Sequence, residues 1–283
     1  MNITFIGATG MLGKPVALEL AAAGFKITAL VRDIAKAKLQ LPSAINLVQG
    51  DVKDPATLAA AFKGADAVYL NLSVLQTEKE TEFHAELDGL KNILQAAKAT
   101  GAGRIVYLSS LIKDYTGFEW WVFRIKNDAV KMIKASGIPY TIFYPSAFME
   151  TMHRQNVQGS KMLLAGASPQ KMYWIAASDY GKQVAASLKR GGSESYDYAV
   201  QGPEALSMDE AAVRFIKSYK TPLTIARAPL ALLKFIGIFS AKLNYGSHIL
   251  EALANYPEQF QAQKTWDDLG KPATTIDAFS RDL

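Results

Sequence analysis

Short apolar runs recur through the first half of the chain and predict the strands of a buried sheet. Six such runs lie at residues 3–6, 27–31, 45–48, 67–70, 105–108 and 140–144. They carry few polar positions. Strands covered on both faces show this continuous apolar character, whereas half-exposed strands alternate. The pattern therefore favours a parallel sheet with both faces covered.

Helical patterns separate these runs. They cover residues 12–23, 55–62, 78–99 and 123–136, and Gly24 and Gly137 stand where the first and last of them end. Glycine commonly follows a helix because it adopts the left-handed conformation of the C-terminal cap. Strands that alternate with helices are typical of a doubly wound α/β fold of the Rossmann type.

The alternation weakens after residue 148. We expect a Rossmann core over residues 1–148 and a smaller, mostly C-terminal α/β lobe over residues 149–283. The strand-like segments 172–177 and 197–201 are expected to return toward the core. Because ligands bind at the carboxyl ends of the strands in such folds, we expect the second lobe to cover that edge and to hold the substrate.

A glycine-rich turn, "GATGMLG", joins the first predicted strand to the first predicted helix. Gly7 permits a tight turn, Gly10 lets main-chain N–H groups approach a diphosphate, and Gly13 lets the helix pack closely on the strand. An ordinary strand–helix turn is the alternative, but the strand that follows favours dinucleotide binding. The groups expected to complete the anion cradle are the Thr9 hydroxyl and the amides of Met11 and Leu12.

A charged pair at the end of the second predicted strand bears on the choice of coenzyme. Arg32 and Asp33 follow the glycines by about 20 residues, where the adenosine ribose is bound. An arginine suits the 2′-phosphate of NADP, and an acidic residue suits the free hydroxyl of NAD. Since Arg32 comes first and Lys36 is within reach, NADP(H) is the preferred coenzyme and NAD(H) the alternative. Arg32 could instead cap the sheet edge while Asp33 starts a helix.

Composition and charge narrow the kinds of ligand, metal site and cellular location that we expect for this protein. The 283 residues include no cysteine, so disulfides, thiolate nucleophiles and cysteine-based metal sites are excluded. The net charge of +5 comes from scattered residues, which favours a small anionic ligand over nucleic acid. His84, His153 and His248 are too dispersed for a metal site, and His84 is expected at the surface or a pocket rim. With no signal peptide or membrane-length apolar run, we expect a cytoplasmic protein without a transmembrane segment.

Six motifs in order make the chain similar to a known family. They read "GATGMLG", "ALVRDIAKA", "VQGDVKD", "IVYLSS", "SGIPYTIFYPSAFME" and "YAVQGPEALSMDEAA". Together they resemble the NmrA-like group of atypical short-chain dehydrogenases/reductases. The segment "DLGKPATTIDAFSRD" resembles the closing segment of that group, so the likeness runs the length of the chain.

The resemblance implies roles for further residues. Lys126 matches the lysine that holds the nicotinamide ribose, and Ser110 matches a hydroxyl often used in catalysis. The positions expected to contact the coenzyme, besides the glycine turn, Arg32 and Lys36, are Asp51 and Val52 at the adenine, Asn71, Leu72, Ser73, Ser109 and Lys126 along the cofactor, and Tyr144, Pro145 and Phe148 on the nicotinamide side.

One position departs from the family pattern. Standard members carry a tyrosine four residues before the lysine, and this chain has Val122 there. Valine cannot transfer a proton. Either another group such as Tyr115 supplies the proton, or the acceptor needs little acid help, as a quinone does, or there is no reaction. The candidate catalytic residues are thus Lys126, Ser110 and Tyr115.

Two apolar features leave alternatives open. Residues 226–243 form the most apolar long stretch, and they would serve as a lid over an apolar pocket, a surface for a protein partner or a dimer, an interfacial membrane helix or a core helix. Trp120 and Trp121 would either wall a flat substrate or pack between the lobes.

Three functions follow from these features. The leading hypothesis is an NADPH-dependent oxidoreductase that reduces an apolar or quinone-like small molecule. The alternative is a non-catalytic NADP(H)-sensing regulator that binds a partner protein, since Val122 removes the usual acid. A nucleotide-sugar epimerase or dehydratase is the third, but it needs the missing tyrosine and a second diphosphate site that the sequence does not show.

Overall fold

The computed structural model describes all residues, 1–283. The strands in chain order are β1 Asn2–Ile6, β2 Lys26–Val31, β3 Asn46–Gln49, β4 Ala67–Leu70, β5 Ile105–Leu108, β6 Tyr140–Pro145, β7 Val157–Gln158, β8 Lys161–Ala165, β9 Lys171–Tyr173, β10 Tyr196–Val200, β11 Ala205–Ser207 and β12 Thr224–Ala228. The α-helices are α1 Gly13–Ala22, α2 Ile34–Lys38, α3 Pro55–Phe62, α4 Leu90–Thr100, α5 Trp121–Lys134, α6 Met149–Thr151, α7 Ala177–Arg190, α8 Met208–Ser218, α9 Leu230–Gly237, α10 Ala241–Asn255, α11 Gln263–Leu269 and α12 Ile276–Arg281.

Seven strands form one parallel sheet in the order β10-β6-β5-β4-β1-β2-β3. All six strands predicted from the apolar runs belong to it, and the doubly wound Rossmann-type fold is confirmed. The chain leaves β1 toward β2 on one side and later returns to β4 on the other. This reversal opens a crevice at the carboxyl ends of β1 and β4, which is where ligands bind in such sheets.

Both faces of the sheet are buried, which explains why the strands are apolar at nearly every position. Phe5 and Tyr69 pack on one face with helices α1 and α7, whereas Val68 and Leu70 pack on the other with α3, α4 and α5. The Tyr69 hydroxyl donates to the Tyr180 hydroxyl at 3.0 Å and so ties the central strand β4 to α7. Apolar burial on both faces is the main stabilising contribution to this three-layer core.

The helix predicted over residues 78–99 is shorter than expected. Residues 78–84 are not helical, a wide π-type turn follows at Ala85–Gly89, and α4 begins only at Leu90. The ring of His84 explains the difference, because its Nδ1 lies 2.9 Å from a Glu78 carboxylate oxygen and its Nε2 lies 3.2 Å from the Glu80 carbonyl. These contacts fold the segment back on itself. His84 is only 1% exposed, so of its two predicted positions the surface is wrong and the pocket rim stays a prediction.

The two later strand-like segments end in different sheets. Tyr196–Val200 pairs with β6 at the edge of the main sheet. The segment predicted at 172–177 does not join that sheet, because β9 pairs antiparallel with β11. An isolated bridge between Phe148 and Ile175 links it to the chain leaving β6. The division of the chain at residue 148 stays a prediction.

Glu150 connects the segment after β6 to the start of α7. One of its carboxylate oxygens accepts a hydrogen bond from the Ala177 N–H at 2.9 Å, and α7 has no side-chain cap of its own at Ala176. The other oxygen is buried and has no partner. Burial raises the pKa of the Glu150 carboxyl to about 7, because a charged carboxylate is poorly solvated there.

Glu150 therefore makes stability depend on pH. Its folded pKa lies above the ordinary value of 4.5, so its contribution is present at acid pH and is lost as pH rises through 7. The free energy of unfolding of the natural chain should fall between pH 5 and pH 8 as Glu150 ionises, and Glu150→Gln should not show this fall. We expect the stability of the variant relative to the natural chain to increase by about 2–3 kcal/mol over this range. Urea unfolding at both pH values measures this. The exposed control Glu119→Gln should show no such gain, and an equal response of the two variants would contradict the assignment.

Candidate functional site

The glycine turn brings β1, β4 and α1 into direct backbone contact. Gly7 has a φ of +88°, a conformation that favours glycine, and its carbonyl accepts a hydrogen bond from the Gly10 N–H at 3.1 Å. A Cβ on Gly13 would lie 1.9 Å from the Gly7 carbonyl oxygen, and one on Gly7 would lie 2.4 Å from the Asn71 carbonyl oxygen. Side chains at either position would therefore force the helix off the strands.

Asn71 fixes the turn from the neighbouring strand. Its backbone N–H donates to the Ile6 carbonyl at 3.0 Å, and its side-chain amide donates to the Gly7 carbonyl at 3.5 Å. Asn71 was predicted to lie along the coenzyme, and the structure places it against the turn itself. Of the two residues that follow, Leu72 is buried and Ser73 is exposed.

Free main-chain donors surround the turn. The N–H groups of Thr9, Met11 and Leu12 donate to no acceptor in the chain, and α1 has no side-chain cap at Leu12. Thr9 and Gly10 are exposed to solvent. These donors stand at the positive end of the α1 dipole, so the surface suits an anion such as a diphosphate. The residues present therefore fit a dinucleotide, whose diphosphate these main-chain groups would hold.

Arg32 and its neighbours have separate roles at the end of β2. Asp33 caps α2, since its carboxylate accepts from the Lys36 N–H at 3.0 Å, and the Lys36 ammonium lies 3.7 Å from the same carboxylate. The Arg32 guanidinium is exposed and makes no hydrogen bond or ion pair, while its carbonyl accepts from Gln49. The Asp33 carboxylate is therefore occupied as the cap of α2, and the Arg32 guanidinium is available to a phosphate.

The loop after β3 is anchored to helix α4. The Asp51 carboxylate accepts from the Lys53 N–H at 2.9 Å, and the Val52 carbonyl accepts from the Asn92 side chain at 2.9 Å. A Cβ on Gly89 would lie 2.8 Å from the Val52 side chain, so the two segments are in close contact. Asp51 and Val52 are therefore held in place at the carboxyl end of β3, and their contact with the adenine stays a prediction.

Two serines end β5 with unused hydroxyls. The Ser109 N–H donates to the Phe143 carbonyl at 2.8 Å, which fixes the backbone at the sheet edge. The hydroxyl oxygens of Ser109 and Ser110 are buried and have no hydrogen-bond partner. Buried hydroxyls without a partner are uncommon, because each costs the free energy of a lost hydrogen bond with water. Both lie at the carboxyl end of β5, on the edge of the sheet where ligands bind in this type of fold, and their contact with a coenzyme stays a prediction.

Lys126 forms a buried ion pair that the sequence did not reveal. Its ammonium lies 2.6 Å from a carboxylate oxygen of Glu86, a residue that is 0% exposed. The same oxygen accepts a hydrogen bond from the Tyr107 hydroxyl. Lys126 keeps 15% of its side chain exposed, so it is not the solvated helix lysine that its position on α5 would also allow. The one sequence signal for this ion pair was the presence of a glutamate, Glu86, inside the apolar pattern of residues 78–99.

The remaining predicted residues lie in three different surroundings. The Tyr144 hydroxyl donates to Asp197 on β10 at 2.6 Å, and burial followed by that hydrogen bond raises the pKa of Tyr144. Phe148 is buried in the core with its ring 5.7 Å from that of Tyr180. Pro145 ends β6 and accepts a hydrogen bond from Leu111.

Tyr115 packs within its own loop. Its ring lies 5.2 Å from that of Phe118. Its hydroxyl packs against Gly117, so closely that a Cβ added to this glycine would lie 2.0 Å from the hydroxyl oxygen. The structure records no hydrogen bond that links this hydroxyl to Lys126 or Ser110. Its role as a proton donor remains a prediction.

The two tryptophans before the Lys126 helix pack against different partners. Trp120 is buried with its ring 5.1 Å from that of His248 and 5.0 Å from that of Tyr245, both on α10. Trp120 thus packs between α5 and α10, and it also lines the cavity described next, so both predicted roles stay open. The Trp121 ring lies 4.9 Å from the ring of His84.

A cavity of about 370 Å³ opens beside these tryptophans. Loop residues 76–79, the start of α5 and the α9–α10 hairpin enclose it. Its aromatic and apolar lining consists of Trp120, Trp121, Ile238, Phe239, Ala241 and Tyr245.

The apolar stretch 226–243 forms the end of β12, all of α9 and the start of α10. It exposes several large apolar side chains, namely Leu232, Phe235, Ile236, Ile238 and Phe239. It is therefore not a core helix. No helix in the structure has the length and apolar character to cross a bilayer. No cluster of three potential metal-ligating side chains occurs.

The parallel sheet, the glycine turn at the strand-order reversal and the free main-chain donors define the fold of a dinucleotide-binding protein. The chain belongs to the NmrA-like family, whose sequence profile matches residues 1–278. This confirms the resemblance drawn from the six motifs.

Individual relatives include reductases and an assembly factor. The chain is 29% identical to the NAD(P)H azoreductase of Xenophilus azovorans over 212 residues. The match covers 74% of this chain and 71% of that protein. It is 22% identical over 258 residues to the photosystem II assembly factor Ycf39 of Trieres chinensis, covering 90% of this chain and 80% of that one. The crystal structure of the NADPH-dependent quinone oxidoreductase QOR2 of Escherichia coli with NADPH superposes with a TM-score of 0.75 at 26% identity, covering 99% of each chain.

The contact between α1 and the strands makes a direct prediction about Gly13. We expect Gly13→Ala to destabilise the chain by about 2–4 kcal/mol, because the added methyl group meets backbone that has no room to move. Gly246 is the matched control, since it lies within α10 and a methyl group added there would have no heavy atom within 4 Å. Gly246→Ala should be neutral or stabilise by about 0.5–1 kcal/mol. Chemical unfolding of both variants tests this, and equal stabilities would count against the packed turn.

Proposed function

We propose that this protein is an NADPH-dependent oxidoreductase that reduces an apolar, quinone-like small molecule. The observation that carries the proposal is the turn at residues 7–13, where three main-chain donors without acceptors stand at the end of a helix pressed against the sheet. Such a surface suits the diphosphate of a dinucleotide. The bound dinucleotide would supply the hydride, and the protein would bind, orient and shield the reacting groups.

The coenzyme is proposed to be NADPH because of Arg32. Its guanidinium is exposed and unpaired at the end of β2, and the acidic Asp33 beside it is occupied in capping α2. A guanidinium can bind a phosphate with two parallel hydrogen bonds. The E. coli quinone oxidoreductase, which superposes on this chain, is described with NADPH bound, and this likeness supports the same choice.

The acceptor is proposed to be flat and electron-poor. The cavity beside Trp121 and Tyr245 has aromatic walls, and aromatic rings stack favourably on conjugated ligands. Val122 supplies no acid, and a quinone needs little, because the anion formed on reduction is already delocalised. The likeness to an NAD(P)H azoreductase and to a quinone oxidoreductase supports a conjugated acceptor of this kind.

Oxidation of NADPH tests the reaction. Purified protein is mixed with NADPH and a panel of quinones, azo compounds and enones, and the loss of NADPH absorbance is followed. We expect turnover with at least one quinone or azo compound and a lower KM for apolar members of the panel. Proven NADPH binding without turnover of any acceptor would contradict the oxidoreductase proposal.

Trp121 tests the place of the acceptor. We expect Trp121→Ala to raise the KM for the acceptor by about tenfold, the loss of one aromatic contact of about 1–1.5 kcal/mol. The affinity for NADPH, read from the fluorescence of the remaining tryptophans, should stay within about twofold. Trp121→Phe keeps an aromatic face and should retain most of the activity. A KM unchanged in Trp121→Ala would place the acceptor elsewhere.

Arg32 tests the choice of coenzyme. Removal of a charged phosphate contact costs about 1.5–3 kcal/mol, so Arg32→Ala should weaken NADPH binding by roughly 10- to 150-fold and leave NADH binding unchanged. The matched control is Lys38→Ala, which removes an exposed cation at the end of α2, the helix that follows Arg32. It should change the affinity for neither NADPH nor NADH. Retained preference for NADPH in Arg32→Ala would contradict the assignment.

A non-catalytic NADP(H)-sensing regulator is the second candidate. The exposed apolar side chains of α9 and the residues that follow it favour this candidate, because such patches commonly contact another protein or a second copy of the chain. The likeness to an assembly factor supports it as well. Pull-down from extract with and without NADPH, using the natural chain and Phe235→Ser, separates the two candidates. A partner captured in equal amounts by both proteins, with and without NADPH, would contradict the sensing role.

A further inference from the structure

Glu86 is a fully buried carboxylate that none of the roles above explains. It projects from the π-type turn Ala85–Gly89 into the space between β5 and α5. One of its oxygens accepts from both the Lys126 ammonium and the Tyr107 hydroxyl, and the other oxygen is buried without a partner. A buried charge of this kind is costly unless it is paired, so the contact with Lys126 accounts for its presence in the core.

Two tyrosines from different elements lie near the pair. Tyr107 faces it from β5, and burial, followed by the charge of Glu86, raises the Tyr107 pKa well above the ordinary value. Tyr245 faces it from α10, and burial together with the charges of Glu86 and Glu78 raises its pKa to about 12. Both tyrosines therefore stay protonated at neutral pH. Tyr107 can act toward Glu86 only as a hydrogen-bond donor, which leaves Lys126 as the cation that neutralises the carboxylate.

We propose that Glu86 is the positioning residue that holds Lys126 as a charged and correctly directed ammonium at the dinucleotide site. The inference rests on the proposed function. A lysine side chain has four flexible carbons, and at 15% exposure the direction of the Lys126 ammonium is set by the partner that fixes it. In this chain Val122, one turn before Lys126, has no hydroxyl that could orient it. The carboxylate of Glu86 supplies both the counter-charge and the fixed anchor.

The local backbone supports this role. The His84 carbonyl accepts hydrogen bonds from the Leu87, Asp88 and Gly89 N–H groups, which widens the first turn before α4. The Asp88 carboxylate accepts from the His84 N–H at 3.2 Å and so closes the same turn from outside. Turns of this π type are often found at functional sites. Here the turn directs the side chain of Glu86 into the core while Asp88 remains on the outer side with Lys91.

The test compares two ligands that differ at one end. NADPH carries the nicotinamide ribose, which Lys126 is expected to hold, whereas 2′,5′-ADP carries only the adenosine half. At any one pH, the change in the ratio of their affinities between a variant and the natural chain cancels the titration of the ligands' own phosphates. In Glu86→Gln the Lys126 ammonium has no counter-charge, so we expect NADPH to bind about tenfold more weakly at pH 9 than in the natural chain, with a smaller loss at pH 6. Binding of 2′,5′-ADP should not change at either pH.

Two further variants separate positioning from folding. Glu86→Asp keeps the charge and should restore most of the NADPH affinity at pH 9. Asp128→Asn removes the partner of Lys131 in an exposed ion pair on the same helix and should behave as the natural chain. A folded Glu86→Gln variant, judged by its thermal melt, with an NADPH to 2′,5′-ADP ratio equal to that of the natural chain at both pH values would overturn the inference.

The natural chain alone gives a second measurement, which does not depend on how the variants fold. With Lys126 held by Glu86, the affinity ratio of NADPH to 2′,5′-ADP should stay constant from pH 8 to pH 9, a range in which the phosphates of both ligands are fully ionised. A ratio that falls steadily over this range would overturn the positioning role. Absence of NADPH binding by the natural chain would instead contradict the proposed function, so the two failures are distinguishable.

Discussion

The close approach of helix α1 to the ends of β1 and β4 is the constraint on which the rest of the site depends. A methyl group at residue 13 would lie 1.9 Å from the Gly7 carbonyl oxygen, so the helix can reach this position only without a side chain there. The same approach directs the first turn of α1 into the crevice where the strand order reverses. The free N–H groups of Thr9, Met11 and Leu12 and the positive end of the helix dipole are consequences of this one packing contact.

The charges of the site are arranged around that contact. Main-chain donors form a surface that suits a diphosphate without a cation close to the turn. Arg32 stands apart at the end of β2, where it is free to bind a phosphate, and Lys126 is neutralised by the buried Glu86. The two ends of a dinucleotide would therefore meet different surroundings. One end meets a solvated guanidinium, and the other meets a partly buried ammonium that is held in place by the core.

The sequence predicted the parts of the structure that depend on local pattern. The six strands were found because burial on both faces leaves almost no polar position, and the turn was found because only glycine suits positions 7 and 13. The pairing of β9 with β11 was not predicted, because apolar character indicates burial but not the pairing partner. The contacts of His84 and the pairing of Glu86 with Lys126 join residues that lie up to 40 positions apart, and periodicity carries no signal for them.

Hydrogen–deuterium exchange with and without NADPH tests the central claim most directly, because it reports on individual main-chain amides. The account predicts that the coenzyme slows exchange at the amides of Thr9, Met11 and Leu12, which have no acceptor within the chain. Amides of the α9–α10 hairpin far from the turn should change less. Saturating NADPH that leaves the exchange of residues 9–12 unchanged would show that the diphosphate lies elsewhere, and it would contradict the account.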